Sequence, residues 1–261
     1  MEEKQPKPGR DMDRAYWDAV GEDYESEIFS VRDHDTAGLV AGHIARHADP
    51  DHTAADLGCG VGKFTPLLAE SFGQVHACDL SPKLLAQARR ACTGHTNVEF
   101  RQTNLGRDPH PFDPVDFVLC VNVLIMAGLN ARMGALRAVT AQVKHGGHLV
   151  LVTPSTESML YTQFRRIDWC LREGMDCDEA LRDSLPSHGS IRNLHQGIRP
   201  IEGVPTKHHL KEELLVLLRG HEMDVLSVEK VTYPWTTEFD NPPEWMDGPH
   251  PWDWLVVARR K

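Results

Sequence analysis

The sequence is short of positive charge, of paired cysteines and of long apolar runs. Lysine and arginine total 28 against 38 aspartate and glutamate, a formal charge of −10 over 261 residues. That balance argues against nucleic acid as a substrate, because neutralising phosphates needs a basic surface, and no lysine–arginine stripe interleaved with aromatics is present. No stretch reaches the roughly 20 apolar residues of a membrane-spanning helix, and the charged N-terminus has no signal-peptide pattern. The six cysteines, Cys59, Cys78, Cys92, Cys120, Cys170 and Cys177, contain no C-x-x-C pair. They read as reduced thiols of a cytosolic (cytoplasmic) protein, so neither a disulfide framework nor a metal site is expected. H-E-x-x-H, a nucleophile elbow and a Ser-His-Asp signature are missing, as is the G-x-G-x-x-G of a nicotinamide-binding fold. The length suits one domain with a full core, and the expected partner is a small-molecule substrate.

The most informative stretch present is T-A-A-D-L-G-C-G-V-G-K-F over 53–64, followed seventeen residues after Gly62 by Asp79 in Q-V-H-A-C-D-L. It reads as a strand, a tight glycine loop, a helix and a second strand ending in an acid. Glycines at alternate positions let the backbone turn sharply with no Cβ between it and a ligand. An acid at the tip of the next strand is suited to the two ribose hydroxyls of a nucleoside. The acid before the first glycine, Asp56, would repel a pyrophosphate but suits an ammonium group.

Around this motif, strands and helices alternate in a way that predicts an α/β fold with a parallel sheet covered on both faces. Strands are expected at 53–57, 75–79, 98–102, 116–121 and 148–152, with helices at 63–72, 82–92 and 131–143. A helical pattern covers 11–47, after a leader at 1–10 that has the composition of a disordered segment. Thr206 is expected to cap an amphipathic helix over 207–219, and strands at 225–231 and 254–258 complete the chain. Pro154 to Pro205, about fifty residues with helical pieces at 159–173 and 178–185, has no place in a minimal fold of this kind. A connection that long is usually functional, and it would sit over the C-terminal strand ends as an inserted substrate lid within a single domain spanning 11–261.

The D-x-G-x-G-x-G loop and Asp79 resemble the class I S-adenosylmethionine (SAM)-dependent methyltransferases, as does K-H-G-G-H-L-V-L at 144–151, where His145 replaces a proline. The resemblance implies a Rossmann-like, seven-stranded sheet ending in an antiparallel pair, with SAM as cofactor and S-adenosylhomocysteine (SAH) as its product. It implies that Asp56, Gly58, Gly60 and Gly62 hold the methionine end of SAM, and Asp79 with Leu80 the ribose. Asn104 with Leu105 falls where the family commonly has an aspartate reading the adenine amino group; the amide carbonyl of Asn104 can still accept from it. Asn122 and Val123 would line the site near the methyl group. An N-terminal Y-W…Y segment closes over the cofactor in that family, which brings in Tyr16 as a contact and Tyr24, with Asn122, as catalytic candidates.

For the substrate, the polar and aromatic positions in and beside the inserted segment are the candidates: Tyr161, Phe164, Arg165, His195, Lys207 and His208. Four of the six tryptophans crowd into a proline-rich tail, Trp235 to Trp254, a rigid aromatic surface. The stretches N-P-P-E-W-M (241–246) with P-W-D-W-L-V-V-A (251–258), C-V-N-V-L-I-M (120–126), L-H-Q-G-I (194–198) and G-V-P-T-K-H (203–208) resemble the methyltransferase domain of ovothiol synthases. That likeness implies N-methylation of the imidazole of 5-thiohistidine to give ovothiol A. It implies a free-standing methyltransferase supplied by a separate sulfoxide synthase. An amino-acid acceptor would need a cation such as Arg165, Arg166 or Lys207 for its carboxylate and an acid such as Glu157 or Glu238 for its ammonium.

Overall fold

The computed structural model describes residues 12–21, 28–108, 112–184, 191–201 and 203–261; the leader at 1–10 and Tyr24 lie outside them. The sheet is made of β1 (Asp49–Leu57), β2 (Phe72–Asp79), β3 (Val98–Gln102), β4 (Val115–Val121), β5 (Val143–Pro154), β8 (Met223–Thr232) and β9 (Trp252–Arg260), in the order β3-β2-β1-β4-β5-β9-β8. The first five strands are mutually parallel, and β9 runs antiparallel to both β5 and β8. A separate antiparallel hairpin, β6 (Ile198–Ile201) with β7 (Val204–Lys207), straddles the end of the segment 154–205. This is the seven-stranded α/β sheet that the alternation of elements predicts.

The central strands are apolar on both sides because helices cover both faces. In V-D-F-V-L-C-V of β4 five of the seven residues are buried, as a parallel sheet in the middle of a fold requires. Leu57, Val118, Cys120, Leu149 and Leu151 belong to one core layer, Ala54, Phe117, Leu119, Val150 and Val152 to the other. From β1 the chain winds outward through β2 and β3, then returns to the other side of β1 for β4. A switch point of this kind opens a crevice at the carboxyl ends of the strands.

Local signals set the surrounding helices. Ser81 caps Pro82–Ala91, its hydroxyl accepting from the Leu84 N–H at 3.2 Å. Ser155 caps Thr156–Arg172 in the same manner through the Ser158 N–H, at 3.0 Å. Two expected elements differ. The helix before β8 runs Lys211–Arg219 with Leu210 at its N-cap, four residues later than expected, because Thr206 and Lys207 are claimed by β7. Among the described residues the N-terminal helical pattern is divided between Arg14–Val20, Val31–His34 and Leu39–His47; Gly38, at φ +65°, starts the last of these. The first of them is anchored beside β2, where Ser81 Oγ donates to the Asp18 carboxylate at 2.5 Å and the Gln87 amide to the Gly21 carbonyl at 2.6 Å. Among the described residues no helix is long and apolar enough to cross a membrane.

Gly62 ties the glycine turn to the helix Pro82–Ala91. Its φ is +85°, and a Cβ there would meet Ala88 Cα at 2.9 Å. Both the conformation and the contact penalise a side chain. Gly62→Ala is therefore expected to lower unfolding free energy by about 1–3 kcal/mol, read as a shift of the urea midpoint; an unchanged midpoint would contradict this packing role.

Candidate active site

One cavity of about 1430 Å3 occupies the carboxyl ends of β1, β2, β4 and β5. It exceeds the roughly 300–1,000 Å3 of a typical single-ligand pocket, which leaves room for two molecules side by side. Its floor is the turn after β1 and the loop after β4. Its roof is the helix Arg14–Val20, the start of the helix Thr156–Arg172, the β6–β7 hairpin and the segment that follows β8.

Backbone geometry defines the floor. Gly58 and Gly60 have φ of +76° and +55°, and a Cβ on Gly58 would lie 2.3 Å from Val123 Cγ2. The turn thus presses against the loop carrying Asn122 and Val123, and only glycine permits the approach. The Gly60 N–H donates to one oxygen of Asp79 at 3.0 Å and the Ser81 N–H to the other at 2.9 Å. Each oxygen retains a lone pair for a further donor, the arrangement a ribose diol needs.

Two acids are held here against their solvation preference. Burial pushes the Asp56 carboxyl up to about 7, the Thr65 hydroxyl at 2.6 Å opposes the shift, and the charge of Asp79 adds to it. Burial raises Asp79 as well, opposed by the N–H groups of Ser81 and Gly60. A buried acid without a cation is a costly arrangement, and a ligand with an ammonium or sulfonium group relieves it. Cys59 also lines the cavity, but burial raises its thiol well above the ordinary value, so no thiolate nucleophile is available there.

Asn122 stands at the end of β4 with φ +53°, a left-handed conformation rare for a side-chain-bearing residue and concentrated at functional positions. Its N–H donates to the Val152 carbonyl at 2.9 Å. Its side chain hydrogen-bonds the Asp253 carboxylate, while Oδ1 is buried with no partner among the described residues. That orphaned acceptor fits a ligand donor in the cleft. Asp253 also accepts from the Tyr233 hydroxyl at 3.0 Å, and burial raises its carboxyl to about 6.

Most residues expected at the cofactor line this cavity: Tyr16, Asp56, Gly58, Gly60, Asp79 and Leu80, then Asn104, Leu105, Asn122 and Val123. Gly62 is not among the lining residues; it faces Ala88. Asn104 Oδ1 already accepts from the Gly106 N–H at 3.1 Å, and its second lone pair remains for a ligand.

The substrate candidates divide differently: of Tyr161, Phe164, Arg165, His195, Lys207 and His208 only His208 lines the cavity, joined by Glu238 from the acids named for an ammonium. Its Nδ1 lies 3.2 Å from the Thr206 carbonyl, and burial lowers the imidazole to about 4, keeping it neutral. Lys207 is buried the other way, donating to Glu213 at 2.6 Å and to the Gln196 carbonyl at 2.7 Å. The Tyr161 hydroxyl donates to the Pro249 carbonyl at 3.0 Å, and the Arg165 guanidinium donates to that hydroxyl while lying over the ring of Trp235. Phe164 and His195 are exposed. Arg166 pairs with Asp183, and Glu157 accepts from the Lys211 N–H and the Trp254 indole. The aromatic tail thus packs mainly on the arginines of the helix Thr156–Arg172; of its rings Trp252 reaches the cleft, as does Tyr233 just before it.

Arg199, Tyr233 and Asp253 line the site without having been singled out by sequence pattern. Asp253 did carry a signal, an acid inside the apolar strand W-D-W-L-V-V-A. Arg199 carried none, since its neighbours Pro200 and Ile201 show no periodicity that reports which way it faces.

Residues 54–147 match the protein family described as "Methyltransferase domain". The matched segment begins at β1 and ends inside β5, taking in the glycine turn, both acids and Asn122. This part of the chain is similar to a methyltransferase domain. Demethylmenaquinone methyltransferase from Tropheryma whipplei (strain Twist) is 30% identical over 112 residues, which are 43% of this chain and 46% of that protein; the same holds for strain TW08/27. The chain thus spans about half the length of the curated relatives it matches. Magnesium protoporphyrin IX methyltransferase from Synechocystis PCC 6803 with bound SAM superposes with TM-score 0.60 at 14% identity, covering 95% of each chain. N-methyltransferase NodS from Bradyrhizobium japonicum WM9 in complex with SAH gives 0.59 at 12% identity, covering 94% of this chain and 98% of that one. These structures share the fold with this chain.

Two outcomes are expected of the floor. Asp79→Ala, removing an acceptor of two hydroxyls, should weaken SAH binding at least about 10-fold, since hydrogen bonds to charged groups are worth about 1.5–3 kcal/mol; unchanged calorimetric affinity would refute the ribose contact. A cationic ligand favours ionised Asp56. In the free protein that carboxyl is largely protonated below about pH 7, so binding there must release a proton. SAH affinity should therefore rise between pH 6 and pH 8 and flatten in Asp56→Asn; a flat profile in the unsubstituted protein would contradict this account.

Proposed function

We propose that this chain transfers the methyl group of SAM to a small molecule, and that the acceptor is the side-chain-proximal imidazole nitrogen of 5-thiohistidine, giving ovothiol A. The reaction class rests on one observation, the glycine turn that holds Asp56 and Asp79 in a cleft with an unpartnered buried acceptor on Asn122. When bound, SAM supplies an electrophilic methyl group on a positively charged sulfur. The protein's work is then to hold a nucleophile in line and to exclude water. Asn122, fixed by Asp253 and by the Val152 carbonyl, orients the floor beside the acceptor. The N-terminal helix, anchored by Asp18 on Ser81, covers the cofactor side.

The narrower reading is supported by where the ovothiol-like stretches fall. C-V-N-V-L-I-M contributes Asn122, Val123, Ile125 and Met126 to the cavity wall, G-V-P-T-K-H contributes Thr206 and His208, and P-W-D-W contributes Trp252 and Asp253. A neutral imidazole nitrogen attacks with its lone pair as the carbon–sulfur bond breaks, and the methylated ring then releases its remaining N–H proton to solvent. Since an unperturbed imidazole titrates near about 6.5, a dedicated base is unnecessary at neutral pH. The ring sulfur is the competing nucleophile, so the cleft must fix the ring by its amino-acid end. Supply of the thiolated acceptor would fall to a sulfoxide synthase activity.

The curated relatives give the second reading, N- or O-methylation or another transfer to a different small molecule such as a quinone, to which the apolar Ile125, Met126 and Met159 suit a flat ring. A third is cofactor binding without catalysis. Incubation with SAM and 5-thiohistidine, followed by mass spectrometry and NMR, should give one methyl on the side-chain-proximal ring nitrogen. S-methylation, or no product with cofactor binding intact, overturns the acceptor assignment; turnover only on a quinone favours the second reading, and none on any acceptor the third.

A further inference from the structure

Charged groups along the cavity wall are mostly committed to the protein. Asp13 caps the N-terminal helix through the Tyr16 N–H, Asp18 takes the Ser81 hydroxyl, and Asp253 takes the Tyr233 hydroxyl and the Asn122 amide. Arg14 pairs with Asp18, Lys63 with Asp33, and Arg32 lies over the Phe64 ring. These cations come from the N-terminal segments and the glycine turn, on the cofactor side.

Two groups differ. Glu238, at the end of the single turn Trp235–Thr237, lines the cavity, and no hydrogen bond to its carboxylate is found among the described residues. Glu238 is exposed as a residue, yet the protein around its carboxylate raises it to about 7; the nearby positive charge of Arg199 opposes the rise and the negative charge of Asp253 adds to it. Arg199 enters the same wall from β6. With the Gln163 amide oriented to satisfy both of its ends, that amide oxygen accepts one guanidinium N–H at 3.3 Å, and four of the five donors of the group stay available. The two charges sense each other, yet no nitrogen–oxygen approach within 4 Å joins them among the described residues. A direct ion pair would cancel both; a gap between opposite charges fits a ligand that itself carries both signs.

Both groups are positioned by rigid neighbours. Trp235 is buried and stacks on Phe239 at 5.5 Å, which fixes the turn that ends at Glu238. The β6–β7 hairpin is stitched to the loop after β4 by the Lys207 N–H on the Ile125 carbonyl, 2.8 Å, and to its own start by the His208 N–H on the Gly197 carbonyl, 2.7 Å. Gly197, at φ +64°, has no space for a Cβ, which would fall 2.4 Å from the His208 carbonyl oxygen.

We propose that Arg199 and Glu238 clamp the α-carboxylate and α-ammonium of a free amino acid, so that the acceptor class of this site is a zwitterionic amino acid. The proposal rests on the reading of the cavity as a methyltransferase cleft for a small acceptor. It explains how the ring of such an acceptor is aimed: the clamp holds one end, leaving the side chain to extend toward Asn122.

The test compares 5-thiohistidine with its decarboxylated and its deaminated analogues in the unsubstituted protein, Arg199→Met and Glu238→Gln, with SAH affinity as the check that each variant is folded. Arg199→Met should raise KM at least 10-fold for the amino acid and leave that for the decarboxylated amine unchanged. Glu238→Gln should raise KM for both amine-bearing compounds and spare the deaminated acid. Equal loss on all three acceptors would reduce the pair to a structural role and overturn the clamp. If no thiolated imidazole is methylated, the 5-thiohistidine reading fails by itself. The clamp is then judged by equilibrium binding of free α-amino acids against their N-acetyl amides to the SAH-loaded protein. Binding of a free amino acid that Arg199→Met abolishes sustains it, and no binding overturns it.

Discussion

The close approach of the β1 turn to the loop after β4 is the constraint on which the rest of the site depends. Gly58 sits so near Val123 that a single methyl group would force the two apart, and that contact places Asn122 over the same floor as Asp56. The turn also brings the Gly60 N–H onto Asp79, coupling β1 to the tip of β2. Three strand ends are thereby fixed to one another through the glycine main chain of the β1 turn, which meets the side chains of Val123 and Asp79. Rigid main chain suits the task, because positioning a reacting group to within fractions of an ångström is where such an enzyme gains its rate.

The fixed floor carries an electrostatic cost. Asp56 and Asp79 are both raised by burial; the charge of Asp79 adds to the rise at Asp56, and the charge of Asp18 to that at Asp79. Thr65 and the backbone N–H groups relieve part of it, leaving a site that is incomplete without a cation. Selectivity follows from the same imbalance: a phosphate would worsen it, whereas a sulfonium ligand with an ammonium group removes it. The cleft thus discriminates by charge sign before any shape is tested.

Sequence and structure agree where local chemistry is decisive. β3 falls at 98–102 as its apolar pattern requires, and Ser81 and Ser155 cap their helices because a hydroxyl three residues before a free N–H is a local fact. The glycine loop and Asp79 are legible for the same reason. The helix expected at 207–219 starts late because the competing partner of Lys207 is remote: its N–H goes to the Ile125 carbonyl, about eighty positions away. Local propensity has no access to such a pairing. Lys207 itself is a polar residue in a polar stretch that turns inward onto Glu213, and nothing within its own segment reports that direction.

The two halves of the cavity therefore differ in kind. The cofactor side is written in a contiguous block from β1 to β4, with spacing that survives reading by eye. The acceptor side is assembled from the β6–β7 hairpin, the turn before β9 and the helix after β5, none adjacent in sequence. A fold that keeps one half constant in backbone geometry can vary the other by side chains alone, since Arg199, His208, Glu238 and Asp253 each enter from a separate element. Such separation also limits what any one substitution there disturbs: replacing a group on β6 leaves the glycine turn and both floor acids untouched, so under the proposed assignment acceptor choice and cofactor binding are separable.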